Sequence, residues 1–252
     1  MKKSKKYLLL LILIFSFFTM YSQGKKYNIR TIAFYNLENL FDTINDVTKN
    51  DEASPMMALK ANKSKVYWDK IDKLGSVIAQ IGEDKANTSP TILGVSEVEN
   101  LSVLEDLIKS KHLIKKDYGI IHYDSPDKRG IDVALIYQKR YFKPVHHEVF
   151  NPNIYRDNFK VYTRDQLLVS GYLDDELREK DPNAKILTMG DFNDDPINTS
   201  FKEVLKTKSN KSEVGDLDIY NPYEDLFRRG FNTLGYRDNI NLFDMILISS
   251  PL

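Results

Sequence analysis

The sequence predicts an α/β chain, and three observations carry that prediction. Short apolar runs of strand length recur along the body, and amphipathic stretches at helical spacing fall between several of them. The third is composition: 42% hydrophobic and 12% aromatic residues are enough to fill a core. A chain of 252 residues with 29% charge is no collagen, low-complexity or disordered sequence. The lack of cysteine excludes disulfide scaffolds, thiolate metal sites and thiol nucleophiles together. Chemistry is left to carboxylates, four histidines, hydroxyls, amides or a metal held by oxygen.

The N-terminus stands apart. Residues 1–6 (MKKSKK) carry four lysines, and Tyr7–Met20 (YLLLLILIFSFFTM) carry no charge. A basic start followed by an apolar stretch of this length predicts a signal peptide over residues 1–23. The alternative is an N-terminal membrane anchor, which wants roughly 20 apolar residues; YSQG is a poor match to a small-x-small cleavage site. The expected location is therefore exported, periplasmic or secreted, with contact to a membrane only if the segment stays uncleaved. Removing residues 1–23 leaves 32 basic against 36 acidic residues, a net charge of −4. That balance argues against generic coating of nucleic acid, which depends on many phosphate contacts from lysine and arginine.

Residues 24–252 read as one domain, with no internal repeat. Tyr27–Tyr35 predicts a strand with Ile29, Thr31 and Ala33 on one face, followed by a loop from 36 to 62. Lys65–Ile81 predicts a helix with Ile71, Leu74, Val77, Ile78 and Ile81 on its stripe. Thr91–Ser96 is a buried strand, and Asn100 caps a helix bearing Leu101, Leu104, Leu107 and Ile108. Tyr118–His122 and Asp132–Tyr137 are strands joined across the turn SPDKRG. Gln166–Leu173 and Ala184–Gly190 are further strands, and Thr199–Lys206 is helical. A loop over 207–218, a short helix at Tyr223–Arg229 and a strand at Leu242–Ser249 complete the chain.

Carboxylates and amides gather where these strands end. Asn36 and Glu38 follow the first strand, Glu97 and Glu99 the second, Asp191 and Asn193 the strand ILTMG, while Asp244 lies inside the last. Oxygen-rich sets suit hard cations such as Mg²⁺ or Ca²⁺, which polarise phosphoryl oxygens and generate hydroxide nucleophiles. An acid after a strand is more often a cap or a solvated turn, but GDFNDDP (190–196) is denser than a cap requires. It is no EF-hand: Pro196 and Lys202 stand where the glycine and the bidentate glutamate belong.

Five runs appear in order: AFYNLENLFD (33–42), ILGVSEVEN (92–100), RGIDVALIY (129–137), ILTMGDFNDDP (186–196) and NLFDMILIS (241–249). Together they resemble the endonuclease/exonuclease/phosphatase family, over about residues 28–250. That family includes secreted deoxyribonucleases, abasic-site endonucleases, inositol polyphosphate phosphatases and neutral sphingomyelinases. The resemblance implies a four-layer sandwich of two mixed β-sheets flanked by helices. It also implies hydrolysis of phosphodiesters or phosphomonoesters with a divalent ion, Mg²⁺ with Mn²⁺ or Ca²⁺ as substitutes. Nucleic acid or another phosphoester is then the substrate, and no obligate protein partner is indicated.

Carried over by motif, the resemblance makes Glu97 the main metal ligand, with Asn36 and Asp191 beside the ion. Asp191 orients or deprotonates the attacking water, while Asn193, Asn36 and Arg129 meet the phosphate. Asp244 supports a catalytic histidine or the metal. Asp132 lies in the motif that borders the phosphate pocket. Two family features have no counterpart, so the sandwich reads as incomplete. Only DDELREKDPN (174–183) joins VSGYL to AKILTMG where the family carries a histidine-bearing strand, and no Ser-Asp-His motif precedes Leu252. His112, His122, His146 and His147 lie elsewhere and read as surface or strand-edge residues, and Trp68 reads as helix packing. Impaired catalysis, or a non-catalytic metal and phosphoester binder on the same scaffold, is the alternative expectation.

Overall fold

Strand β1 (Ile32–Leu40) opens the fold in the computed structural model, which describes residues 29–173, 185–236 and 239–250. The expected signal segment and the 174–183 join lie outside the described residues. β1 pairs in parallel with β2 (Ile92–Val98), β2 pairs antiparallel with β4 (Asp132–Gln138), and β4 pairs antiparallel with β3 (Tyr118–His122). The result is a mixed four-stranded sheet in the order β1-β2-β4-β3. One face is covered by α1 (Lys63–Gln80) and α2 (Leu101–Ile108). Tyr67, Ile71, Leu74 and Ile78 form the buried stripe of α1 and meet Leu93, Val95, Leu104, Leu107 and Ile136. Asn100 caps α2 as expected, its Oδ1 accepting from the Val103 N–H at 3.1 Å.

The opposite face carries a second sheet. β9 (Leu187–Asp191) and β10 (Ile219–Tyr220) flank β13 (Asp244–Ser249), both antiparallel to it. The sheets approach closely where Gly94 faces Met189: a Cβ at Gly94 would lie 2.6 Å from the Met189 sulfur. Behind the second sheet, Phe201, Leu242, Met245 and Leu247 pack with Tyr223, Leu226 and Phe227 of α3 (Tyr223–Arg228). Helices, sheet, sheet and helix make the α/β layering; the first sheet is mixed as expected, whereas the second is antiparallel among the described residues. β5 (Phe142–Phe150) and β8 (Gln166–Leu173) pair only with each other among the described residues, resting on β4 through Leu135, Phe142 and Leu173.

Several expectations change. The first strand runs on to Leu40 where a loop was expected, because the irregularity between Asn36 and Leu40 lets both Leu37 and Leu40 bury in the helix-covered core. Within the loop, Asp51–Ala53 forms a 3₁₀ turn. Val77 leaves the α1 stripe and is 43% exposed, and Trp68 is 51% exposed; Tyr67 holds the buried place instead, donating its hydroxyl to Asp106 at 2.7 Å. Thr199–Lys206 reduces to one wide turn, Ser200–Val204, closed by the Leu205 N–H donating to Ser200 O. No elements were expected over 139–165. β5 and the hairpin β6 (Ile154–Arg156) to β7 (Phe159–Val161) lie there, the hairpin turning on Asp157 and Asn158 at φ of 51° and 65°.

Candidate active site

The site begins with a register break. β1 and β2 pair regularly as far as Asn36 and Ser96, then lose register before Leu40 and Val98. Glu38 and Asn39 adopt φ of 51° and 57°, and Glu97 follows at 58°. Left-handed backbone at residues other than glycine costs of order 1–3 kcal/mol each, and such strain collects at functional sites. The bulge turns polar groups inward. The Asn36 side chain accepts from the Glu38 N–H at 2.8 Å, and Glu97 accepts from the Asn39 N–H at 3.1 Å. On α1, the half-buried Lys70 donates to the carbonyls of Glu38 at 2.5 Å and Asn39 at 3.0 Å.

The second sheet supplies the other wall. Asp191 ends β9 and stands directly opposite Asp244 across the antiparallel pair. Asn36 reaches over from the first sheet and donates to Asp191 at 3.2 Å. Asn193, at φ 50°, donates its backbone N–H to Asp191 at 3.0 Å, and its side chain is exposed at the rim. The rest of GDFNDDP is structural: Asp195 accepts from the Leu242 N–H at 2.8 Å, and Asp194 accepts from Asn198 and Ser200.

Crowded carboxylates set the electrostatics. Burial and the neighbouring Asp191 push Asp244 up to about 6, with Glu97 and Glu38 adding to the effect. Asp244 Oδ1 is buried without a hydrogen-bond partner. A buried oxygen left unpaired among three further carboxylates suits a hard divalent cation, and the oxygen donors near it are those of Asp191, Asn36 and Glu97. Tyr35 is raised by burial and by the same acids, Glu38 and Asp244. Arg129 sits at the rim, gripping Asp127 with two hydrogen bonds of 3.1 and 2.8 Å and feeling the charge of Glu97.

The structure thus brings Asn36, Glu97, Asp191 and Asp244 to one seam between the sheets, with Asn193 and Arg129 at its edge. None of the histidines joins them through a described contact. His112 meets Asp72, His146 meets Glu148, and His147 meets Tyr123. His122 ends the edge strand β3, as the strand-edge reading has it, but it does not lie at the surface. Its side chain is buried and lies 3.0 Å from buried Asp132, whose other oxygen accepts from the Ser125 N–H and hydroxyl. With exposed Asp124 these residues place three potential ligand atoms within 4.8 Å of one another. Sequence reasoning missed this group and Lys70. The near symmetry of His122 and Asp132 about SPDKRG was the available sign of the first; nothing in spacing marks the second.

A sequence profile described as the endonuclease/exonuclease/phosphatase family matches residues 31–177 and 172–252. The chain belongs to that family. Its two matched stretches overlap at 172–177, from the last residues of β8 into the segment that leads to β9. No curated protein sequence matches the chain. Among solved structures, it is similar to a Bacteroides thetaiotaomicron mannosyl-6-phosphatase at 16% identity, covering 88% of this chain and 85% of that one, with a TM-score of 0.46. A Bacteroides vulgatus endonuclease/exonuclease/phosphatase gives 14%, 89%, 88% and 0.47 in the same order. The human Nocturnin catalytic domain with bound sulfate gives 15%, 70%, 75% and 0.44.

Proposed function

We propose that this family member hydrolyses phosphate esters, with phosphodiesters of nucleic acid as the first substrates to try. The observation that supports it best is the pairing of Asp191 with Asp244 at the seam, met by Asn36 and Glu97 from the other sheet. A bound Mg²⁺ would supply charge neutralisation at the phosphoryl oxygens. Glu97, held by the Asn39 N–H, and Asn36 would hold that ion. Asp191, its oxygens already aligned by Asn36 and the Asn193 N–H, orients a water for in-line attack and accepts its proton. Asn193 and Arg129 face solvent at the rim, where a phosphate would enter. Positioning and charge stabilisation are most of what phosphoryl transfer requires.

A specific observation favours slow turnover as the second reading. Each of the four histidines is occupied away from the seam, so no imidazole contacts Asp191 or Asp244 among the described residues. The test is hydrolysis of a generic phosphodiester and of plasmid DNA with Mg²⁺, Mn²⁺ or Ca²⁺, beside Asp191→Asn. Metal-dependent turnover that falls about 10²–10⁴-fold in Asp191→Asn supports the proposal. A folded protein that binds Mn²⁺ and turns over neither substrate supports the binder instead. We also propose export through residues 1–23; finding the full-length precursor in the cytosol after cell fractionation would oppose it.

A further inference from the structure

We infer that Lys70, on the helix behind the first sheet, is a positioning residue that sets Glu97 for its cation; the inference rests on the metal site proposed above. The argument starts from the bulge. Two consecutive residues with positive φ, Glu38 and Asn39, leave the β1 ladder, so their carbonyls have no strand partner in that register. Carbonyls that leave a ladder take side-chain donors or water instead. Lys70 Nζ donates to both carbonyls, at 2.5 and 3.0 Å, from a half-buried place on α1. With those carbonyls held toward α1, the Asn39 N–H points the other way and donates to Glu97 at 3.1 Å. The Glu38 N–H likewise fixes the Asn36 side-chain oxygen, which leaves the Asn36 amide to reach Asp191. One ammonium group on the outer layer therefore fixes the strained turn that aims two residues of the seam.

Charge alone predicts the opposite effect. A lysine beside Glu97 repels an incoming cation, so deleting its charge would tighten metal binding by Coulomb's law. If Lys70 acts through geometry, deletion weakens binding. Loss of an outer-layer partner of a metal ligand commonly costs 10–100-fold in affinity. The experiment titrates the full chain with Mn²⁺ alone, following free Mn²⁺ by electron paramagnetic resonance, with circular dichroism confirming that each variant is folded. Wild type binds, and Glu97→Gln loses that binding. Lys70→Met is expected to weaken Mn²⁺ about tenfold, whereas Lys65→Met removes the same charge from the same helix and leaves affinity unchanged. Equal or tighter binding in Lys70→Met overturns the inference while leaving the metal site standing. Wild type without Glu97-dependent binding overturns both. Should Lys70→Met fail to fold, Lys70→Gln, one atom too short to hold both carbonyls as the ammonium does, is expected to weaken Mn²⁺ in the same direction, and equal or tighter binding again overturns the inference.

Discussion

The two halves of the sandwich are built to different standards. Among the described residues, twenty buried apolar side chains join the first sheet to α1 and α2, whereas the second sheet and α3 share a cluster of four. The thick half supplies Asn36 and Glu97; the thin half supplies Asp191 and Asp244. A site at such a seam takes its geometry from the docking of a weakly cored layer on a strongly cored one. Gly94 makes the contact close, since a Cβ there would lie 2.6 Å from the Met189 sulfur and the Met189 side chain would have to move.

The largest expected effect tests whether both halves act as one unit. Glu97→Gln and Asp191→Asn should each reduce turnover about 10²–10⁴-fold, and the double variant should be little worse than either single, because residues acting together are non-additive. Additive losses would mean the two walls work separately. Next come the cores. Leu104→Ala, in the thick half, should cost about 4 kcal/mol, since the fully enclosed site cannot collapse. Leu247→Ala should cost about 2 kcal/mol, as its thinner surroundings relax or admit water. Urea unfolding measures both, and equal losses would break the comparison. Hydrogen exchange should likewise find β13 less protected than β2.

Legibility in the sequence follows the same division. The thick half was readable because its strands and α2 are apolar runs bounded by turns, and a capping asparagine announces the helix. Even there, β1 was ended five residues too soon, since Leu37 and Leu40 stand three apart, off the period of a strand, inside the polar string NLENL. In the thin half the wide turn at Ser200–Val204 shares its spacing with an ordinary helix, so periodicity could not distinguish them. β5 escaped notice because most of its residues face solvent and lack alternation. Asn36, Glu97, Asp191 and Asp244, each carried by a motif, lie at one seam. Lys70 was not legible, because its role depends on a backbone bulge that no residue pattern encodes.

A pH experiment separates the halves with a smaller effect. In the thick half, burial pushes Glu99 up to about 7, with Asp42 and Asp51 adding repulsion. Its folded value lies above the unfolded one, so the folded state binds the extra proton and stability falls as pH rises from about 4.5 to 7. In the thin half, buried Glu224 is held low despite its burial by Lys202 at 2.7 Å and Arg228 at 3.0 Å. Its contribution is present above the unfolded value and is lost as pH falls through the folded one. Glu99→Gln keeps an acceptor for the Asp42 N–H and should gain about 2 kcal/mol at pH 8 with little change at pH 5. Melting curves that shift equally at both values would show that Glu99 carries no such penalty.

The smallest effect belongs to Asn100, which joins the cap of α2 to this acidic corner. Its Oδ1 accepts from Val103 N–H, and its amide donates to Asp42 at 3.3 Å. Asn100→Ala should cost about 1 kcal/mol, the usual loss for a removed cap, and the cost should be nearly independent of pH. Asn100→Asp is the sharper variant. Aspartate caps as well as asparagine and adds a favourable charge at the helix start, but it replaces a donor to Asp42 with another carboxylate beside Asp42 and Glu99. Below pH 5, where Glu99 is protonated, the variant should match wild type within about 0.5 kcal/mol. Above pH 7 it should fall behind, because three ionised carboxylates then share one corner. A variant that tracks wild type at every pH would place the repulsion at Glu99 with Asp51 rather than with Asp42.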